Sequence, residues 1–409
     1  MLGSLHDAVA KPAPGGSRYP GFDGLRAIAA ASVVAFHCGF ATNYVGYGVG
    51  GRYVSTLNLG VTIFFVISGF LLYRPFVAAR LLGRPEPAVR DYLVRRVARI
   101  VPAYWLAFVA LTALGVAEHV SLSTAPMYLF FLQIYFPRYA LGGLPVAWSL
   151  GTEMSFYLFL PVYAWVLSRV GGGGAGRILK SEAGGIGALV AISIVFRVWV
   201  YQSGKPGSWL FWLPANLDLF ACGMGLALVA VWMEREGLGL ATKTARLVAL
   251  VSWGVALTAF WALGNLGGLP HTIFPVQLSL NQLLYEHLGS AVVASALVVP
   301  AVIAPWSGGI VRRLLACPPA RFIGVVSFGI YLWHQAIIRW VTQGLGAHFT
   351  ASVTLKWSHV NPPFWVFFLI VLCLAATVAS LSYVLVEVPV LRRAHRRRNG
   401  GTRVVRSEV

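Results

Sequence analysis

The sequence predicts an all-α integral membrane protein with about ten transmembrane helices. Three observations carry that prediction. The chain is 58% apolar and only 11% charged, against about 25% charged residues in soluble domains. Its apolar residues fall into repeated runs of membrane length, separated by short polar loops. Its basic residues crowd the loops on one side. A span needs ~20 mostly apolar residues to cross the hydrocarbon core. Such runs occur at 24–42, 58–76, 98–117, 146–168, 186–202, 209–232, 246–264, 287–305, 322–342 and 363–388.

The stretch 124–140 is apolar too, but it is short and contains Pro126, Pro137 and Arg138. It is expected to be a re-entrant or surface segment. Charge tests that choice, because Lys and Arg concentrate in cytoplasmic loops. With ten spans and the N-terminus inside, 26 of the 32 basic residues fall on the inner side, Arg26 included. Arg52, Arg138, Lys205, Arg339 and Lys356 fall outside, and Arg197 lies within span five. Counting 124–140 as a span would invert every later loop and abolish the bias. Both termini are therefore expected in the cytoplasm.

The formal net charge of +19 follows from the same loops, which would face an anionic inner leaflet. Nucleic acid is not an expected partner; membrane lipids are. Residues 1–18 are expected to be a disordered cytoplasmic tail, 19–391 the membrane domain and 392–409 a basic cytoplasmic tail. Arg392, Arg393, Arg396, Arg397 and Arg398 would anchor that tail to lipid. Cys38, Cys222, Cys317 and Cys373 are scattered without metal-ligand spacing, so neither a disulfide framework nor a metal site is expected. Gly171–Gly174, with Gly176, Gly184, Gly185 and Gly187, reads as a flexible inner loop. It lacks the Gly-Lys-Ser/Thr ending of a phosphate loop.

Ionisable groups at membrane depth are costly and mark function. In span one, Arg26 and His37 are eleven residues apart, close to three helical turns. They share one face, roughly 16 Å apart, with Arg26 near the inner surface and His37 near mid-membrane. The small residues between them allow close packing or room for a ligand. Span four opens Trp148-Ser-Leu-Gly-Thr-Glu153 and runs inward, which puts Glu153 roughly 8 Å below its outer end. Glu153 is expected to act as base or orienter for His37, or else as a structural counter-ion. Span nine carries Tyr331-Leu-Trp-His334 and places His334 near mid-membrane, where packing is the plainer role. Arg197 and Asp218 are expected to form a mutual ion pair, with Asn216 pointing elsewhere. Arg96 and Arg99 are neighbours on one helical face. They serve the inside-positive bias, and their spacing also suits a clamp for phosphates. Glu387 closes span ten at the same membrane face and could orient one of them.

These blocks together resemble membrane acyltransferase family 3, the bacterial O-acetylases of surface glycans and some small molecules. The matching segments are Phe-Asp23-Gly-Leu-Arg26 with His37, Phe-Phe-Val-Ile-Ser68-Gly-Phe-Leu, and Arg95-Arg-Val-Ala-Arg99 with Pro102. They continue with Trp148 to Glu153 plus Phe156-Tyr157, Tyr331 to His334, and Val-Glu387-Val-Pro389. They stand in the family's order over about 19–391. Phe328 departs from the Tyr common after the serine at 327. Only a basic tail follows span ten, so the membrane domain would hand on the acyl group unaided.

The resemblance implies acyl-CoA, in particular acetyl-CoA, as donor substrate from the cytoplasm of a bacterial inner membrane. Arg26, Arg96 and Arg99 would meet its phosphates. His37, with Glu153, would act as general base or covalent relay. Trp148, Tyr157, Tyr331 and His334 would contact substrate, with Asp23, Arg197, Asp218 and Glu387 structural. The acceptor would be a hydroxyl of a surface glycan, glycolipid or small glycosylated molecule. A transporter or flippase of a lipid-linked or glycan substrate is the rival reading. It would not need a same-stripe Arg–His pair above an inner arginine cluster.

Overall fold

The computed structural model describes residues 19, 21–46, 48–270, 277–303, 309–344 and 364–392. The expected tails therefore lie outside the described residues, apart from Arg392. Among the described residues, ten helices are long and apolar enough to cross a membrane. They are α1 (Gly21–Ala41), α2 (Leu59–Leu82), α3 (Val89–Ala113), α4 (Trp148–Val170) and α5 (Ala175–Gln202). The chain continues with α6 (Leu217–Arg235), α7 (Thr242–Asn265), α8 (Leu280–Ile303), α9 (Pro318–Gly344) and α10 (Phe364–Ser382). No strand occurs among the described residues. The all-α fold and the ten spans are borne out. The end of the bundle that carries Arg26, Arg80 and Arg96 is called the basic end below.

Glycines set how close the helices come. A Cβ at Gly69 of α2 would fall on the backbone of Phe220, and one at Gly223 of α6 on the backbone of Val66. The two helices therefore touch backbone to backbone, as small residues allow in membranes. Phe65, Phe220 and Phe156 stack beside this contact, with centroids 4.7 Å and 4.0 Å apart, and bring α4 onto the pair. Gly324 of α9 likewise meets the backbone of Asp23 in α1. That contact aligns the two helices: His37 and His334 each lie sixteen residues after their helix's first residue.

The segment between α3 and α4 folds back into the bundle without crossing it. It holds a short helix, Ala125–Leu129, and 3-10 turns at Gln133–Tyr135 and Pro137–Tyr139. Tyr104 donates to the carbonyl of Tyr128 at 2.9 Å and Trp105 to that of Leu129 at 3.0 Å. Tyr104 is nine residues before the end of α3, so these bonds lie about 13 Å below that end. Side-chain donors there satisfy carbonyls that lipid could not. The re-entrant expectation holds.

Two boundaries differ from the sequence expectation. Helix α5 starts at Ala175, so Gly176, Gly184, Gly185 and Gly187 are helical and not loop. Glycine lowers helix propensity by about 1 kcal/mol, but burial overrides it. Glu182, on this stretch, is fully buried against Arg80 and the Tyr73 hydroxyl of α2. Helix α8 starts at Leu280, seven residues before the expected 287. That extension puts Glu286 and His287 on a helix inside the protein.

Candidate active site

Two cavities enter the bundle from opposite ends. The smaller, of about 80 Å³, lies toward the basic end and is lined by Arg26, Ser68, Arg96, Arg99, Glu153 and Tyr157. The larger, of about 530 Å³, opens toward the far end and takes in His37, Asn58, Trp148, Arg197, Glu286 and His287. Val61, Phe65 and Tyr331 line both and form the wall between them.

Among the residues lining the smaller cavity, three arginines face one carboxylate, Glu153. Arg26 reaches Asp23 at only 4.0 Å, across one helical turn. The Nε of Arg96 is buried without a hydrogen-bond partner. Glu387 is buried in the π-helical turn Tyr383–Glu387 that continues α10, with Arg99 the opposing charge acting on it. An extra residue in a helical turn re-aims side chains and is common at functional sites. Glu153 accepts hydrogen bonds from Ser68 at 2.6 Å and from Tyr157 at 2.5 Å.

This placement corrects the expectation that Glu153 partners His37. Gly60 of α2 packs on the Ala29 backbone of α1. Ser68 lies eight residues further along α2, about 12 Å nearer the basic end, which is below the level of Arg26. Glu153 is bound there, well below His37. Depth counting misjudged it because α4 begins beneath the re-entrant segment. Trp148, its first residue, stacks on Phe211 at 4.6 Å inside the cavity.

The partner of His37 is instead His334, whose Nε2 lies 3.2 Å from the Nδ1 of His37. His334 is fully buried and is more than a packing residue. A carbonyl can only accept, so backbone contacts assign both tautomers. His37 Nδ1 sits 2.9 Å from the carbonyl of Val33 and carries its proton. His334 Nδ1 sits 2.9 Å from the carbonyl of Tyr331 and carries its own. The Nε2 of His334 is then an acceptor for the His37 N–H. The Nε2 of His37 keeps its lone pair and makes no hydrogen bond among the described residues. Tyr331 is itself pinned, with its hydroxyl 2.7 Å from Ser149 Oγ and 2.8 Å from the Val146 carbonyl.

The expected Arg197–Asp218 pair is also corrected. Asp218 accepts from Ser193 at 2.7 Å and bonds His287 Nε2 at 2.6 Å. Arg197 donates to the Ala215 carbonyl at 2.7 Å and to Asn216 Oδ1 at 3.3 Å, so Asn216 faces the arginine after all. The start of α8 brings His287 between them, and a carboxylate takes the imidazole that fits it. Across the cavity, Asn58 Nδ2 donates to Glu286 Oε1 at 2.8 Å. A carboxylate only accepts, so this fixes the amide and leaves Asn58 Oδ1 as a buried acceptor without a partner.

A family profile described as an acyltransferase domain matches residues 19–384. The chain belongs to this acyltransferase family. The resemblance seen in the sequence blocks is thereby borne out. The chain is 28% identical to the Bacillus subtilis protein YrhL, over 92% of this chain and 55% of that protein. It is 25% identical to the peptidoglycan O-acetyltransferase OatA of Listeria monocytogenes, over 91% and 55%. It is 22% identical to the O-acetyltransferase OatA of Staphylococcus aureus, over 91% and 57%. The chain thus spans little more than half the length of these relatives. No solved structure matches it.

Four polar residues were given no role by the sequence reading: Asn58, Ser68, Glu286 and His287, of which Ser68 stood only in a matching segment. Asn58 and Glu286 stood at the ends of apolar runs and looked like loop residues. The only signal for His287 was an ionisable residue beginning a run, and Ser68 looked like an ordinary small residue of a span.

Proposed function

We propose that this chain is an acyl-CoA-dependent O-acyltransferase, moving an acyl group, acetyl in the first instance, to a hydroxyl. The acceptor is a surface glycan, glycolipid or small glycosylated molecule. One observation carries the reading: His37, tautomer-fixed by its pairing with His334, faces the larger cavity, about 16 Å along α1 from an arginine cluster with an unpartnered donor. The orphaned Arg96 Nε suits a phosphate oxygen, and Arg26 and Arg99 add charge around it. The acyl arm would follow α1 from there, through the wall at Val61, Phe65 and Tyr331, to His37.

At His37 the chemistry needs a lone pair, and Nε2 supplies it. The imidazole either takes the proton of the acceptor hydroxyl or attacks the thioester carbonyl and bears the acyl group. In either role positive charge develops on the ring. The Nδ1–H is already directed at the Val33 carbonyl and the neutral His334, which stabilise that charge without reorganising. Asn58 Oδ1, Glu286 and the Trp148–Phe211 face offer the polar and aromatic contacts that sugars use.

The basic end is the cytoplasmic one in this reading, which matches a donor made in the cytoplasm of a bacterium and places the protein in its inner membrane. Cysteines introduced at 43–56 should label from outside and those at 233–243 from inside; the reverse pattern would turn the reading upside down. The activity itself is tested on purified protein given acetyl-CoA with and without candidate hydroxyl acceptors. Release of free coenzyme A that depends on His37 supports it, and no release under any condition ends it.

A further inference from the structure

The larger cavity contains a second imidazole, and it is held differently from His37. His287 binds Asp218 at 2.6 Å through Nε2, and Asp218 is fixed from behind by Ser193 at 2.7 Å. The side chains of His287 and Asp218 are 8% and 4% exposed. Because the carboxylate takes the Nε2–H, the lone pair lies on Nδ1, which makes no hydrogen bond among the described residues. His287 lines the same cavity as His37. The charged groups facing it are Asp218 from α6, Arg197 from α5 and its neighbour Glu286.

The two rings are therefore prepared for different work. A carboxylate against an imidazole raises its basicity and orients it, the logic of a catalytic His–Asp couple. His37 has no carboxylate contact; it leans on a carbonyl and a neutral ring. Such an imidazole is the weaker base and the better leaving group from an acyl carbon. We infer that the two histidines divide the reaction: His37 bears the acyl group, and His287, held by Asp218, is the base that activates the acceptor hydroxyl. The inference rests on the acyl-transfer reading above.

The steps balance. In the first, His37 Nε2 bonds to the thioester carbon, the C–S bond breaks and coenzyme A leaves as thiolate. The ring becomes a cationic acylimidazole with its Nδ1–H still shared. In the second, the acceptor oxygen bonds to the acyl carbon and the C–N bond breaks, returning neutral His37. The hydroxyl proton passes to His287 Nδ1, giving an imidazolium against Asp218. That proton returns to solvent, where it equals the one the thiolate takes up.

The test is rapid-mixing measurement of coenzyme A release by the full chain in lipid nanodiscs. The donor is acetyl-CoA, and water or a soluble chito-oligosaccharide serves as hydroxyl acceptor. The unaltered protein should release a burst of about one coenzyme A per chain and then turn over steadily. His287→Gln keeps an N–H for Asp218, so its burst should survive. Its steady rate should fall about hundredfold or more, the scale of general-base help. Asp218→Asn, at a positioning residue, should lower kcat and the donor KM together, leaving the burst and the donor kcat/KM unchanged. His37→Ala should lose burst and turnover together. The assignment is overturned by an unaltered steady rate in His287→Gln, by loss of its burst, or by a native protein that shows no burst or no turnover after it. A native protein that never cleaves the thioester overturns the acyl-transfer reading itself, a result distinct from any of those.

Discussion

The two cavities are left unsatisfied in opposite senses. Toward the basic end the spare group is a donor: Arg96 Nε, on a cation, has nothing to give its proton to. Toward the far end the spare groups are acceptors: Asn58 Oδ1 and the lone pair of His37 Nε2. A phosphate only accepts hydrogen bonds, and an acceptor hydroxyl must lose its proton. Each cavity is thus complementary to one half of a transfer reaction. A third site at the basic end gives the contrast its scale. Arg80 is bound by Glu182, by the Leu167 carbonyl at 2.8 Å and by Ser181 at 3.3 Å. Arg80 thus has a carboxylate and two further acceptors, whereas Arg96 keeps a buried N–H without one.

The largest expected effect tests the acceptor side. His37→Ala should cut acyl transfer by ~10²–10⁴-fold, with donor binding retained. Both are measured on one purified sample, and normal transfer would reduce the histidine pair to packing.

Next comes the filled arginine. Glu182→Ala strands Arg80 and should cost about 3–5 kcal/mol of stability, read as a fall in the thermal unfolding midpoint. Replacing Glu182 and Arg80 together by methionine should restore most of it. A stable, inactive Glu182→Ala protein would move this pair into the active site and erase the contrast.

The unfilled arginine should behave the other way. Arg96→Ala removes charge-assisted contacts worth about 1.5–3 kcal/mol, so donor affinity should fall about tenfold or more while the melting midpoint holds. Glu153→Gln belongs to the same cavity and should alter the donor KM more than the rate at saturation. A loss confined to the rate would return Glu153 to His37.

The smallest effect concerns Asn58. Asn58→Leu removes one neutral acceptor, worth about 0.5–1.5 kcal/mol, together with the donor to Glu286, and should raise the acceptor KM at least a few-fold with the donor KM unchanged. A change in the donor KM alone would mean the far cavity is not the acceptor's.

The sequence made the spans legible because lipid demands long apolar runs, and it made the Arg26–His37 stripe legible because one helix carries both. Contacts between helices were not. His334 meets His37 across 297 residues, a pairing set by the Gly324 crossing that no local pattern announces. Glu153 was placed too high because depth was counted from a membrane surface, whereas α4 begins under a re-entrant segment. Arg197 and Asp218 were matched by charge alone, and the early start of α8 supplied a better partner for Asp218.

The wall of Val61, Phe65 and Tyr331 also bears on the cell's energy supply. Two water-accessible hollows approaching each other inside a bilayer thin its insulation to whatever separates them. A resting potential of 100 mV, worth ~2.3 kcal/mol per unit charge, then drops mostly across that partition. An apolar pair and a tyrosine tied to Ser149 and Val146 form a short dielectric plug there. An acyl chain can slip past a side chain, whereas a hydrated sodium ion must shed its water to follow. On the proposed reading the molecule would pass a carbon fragment outward without short-circuiting the membrane that houses it.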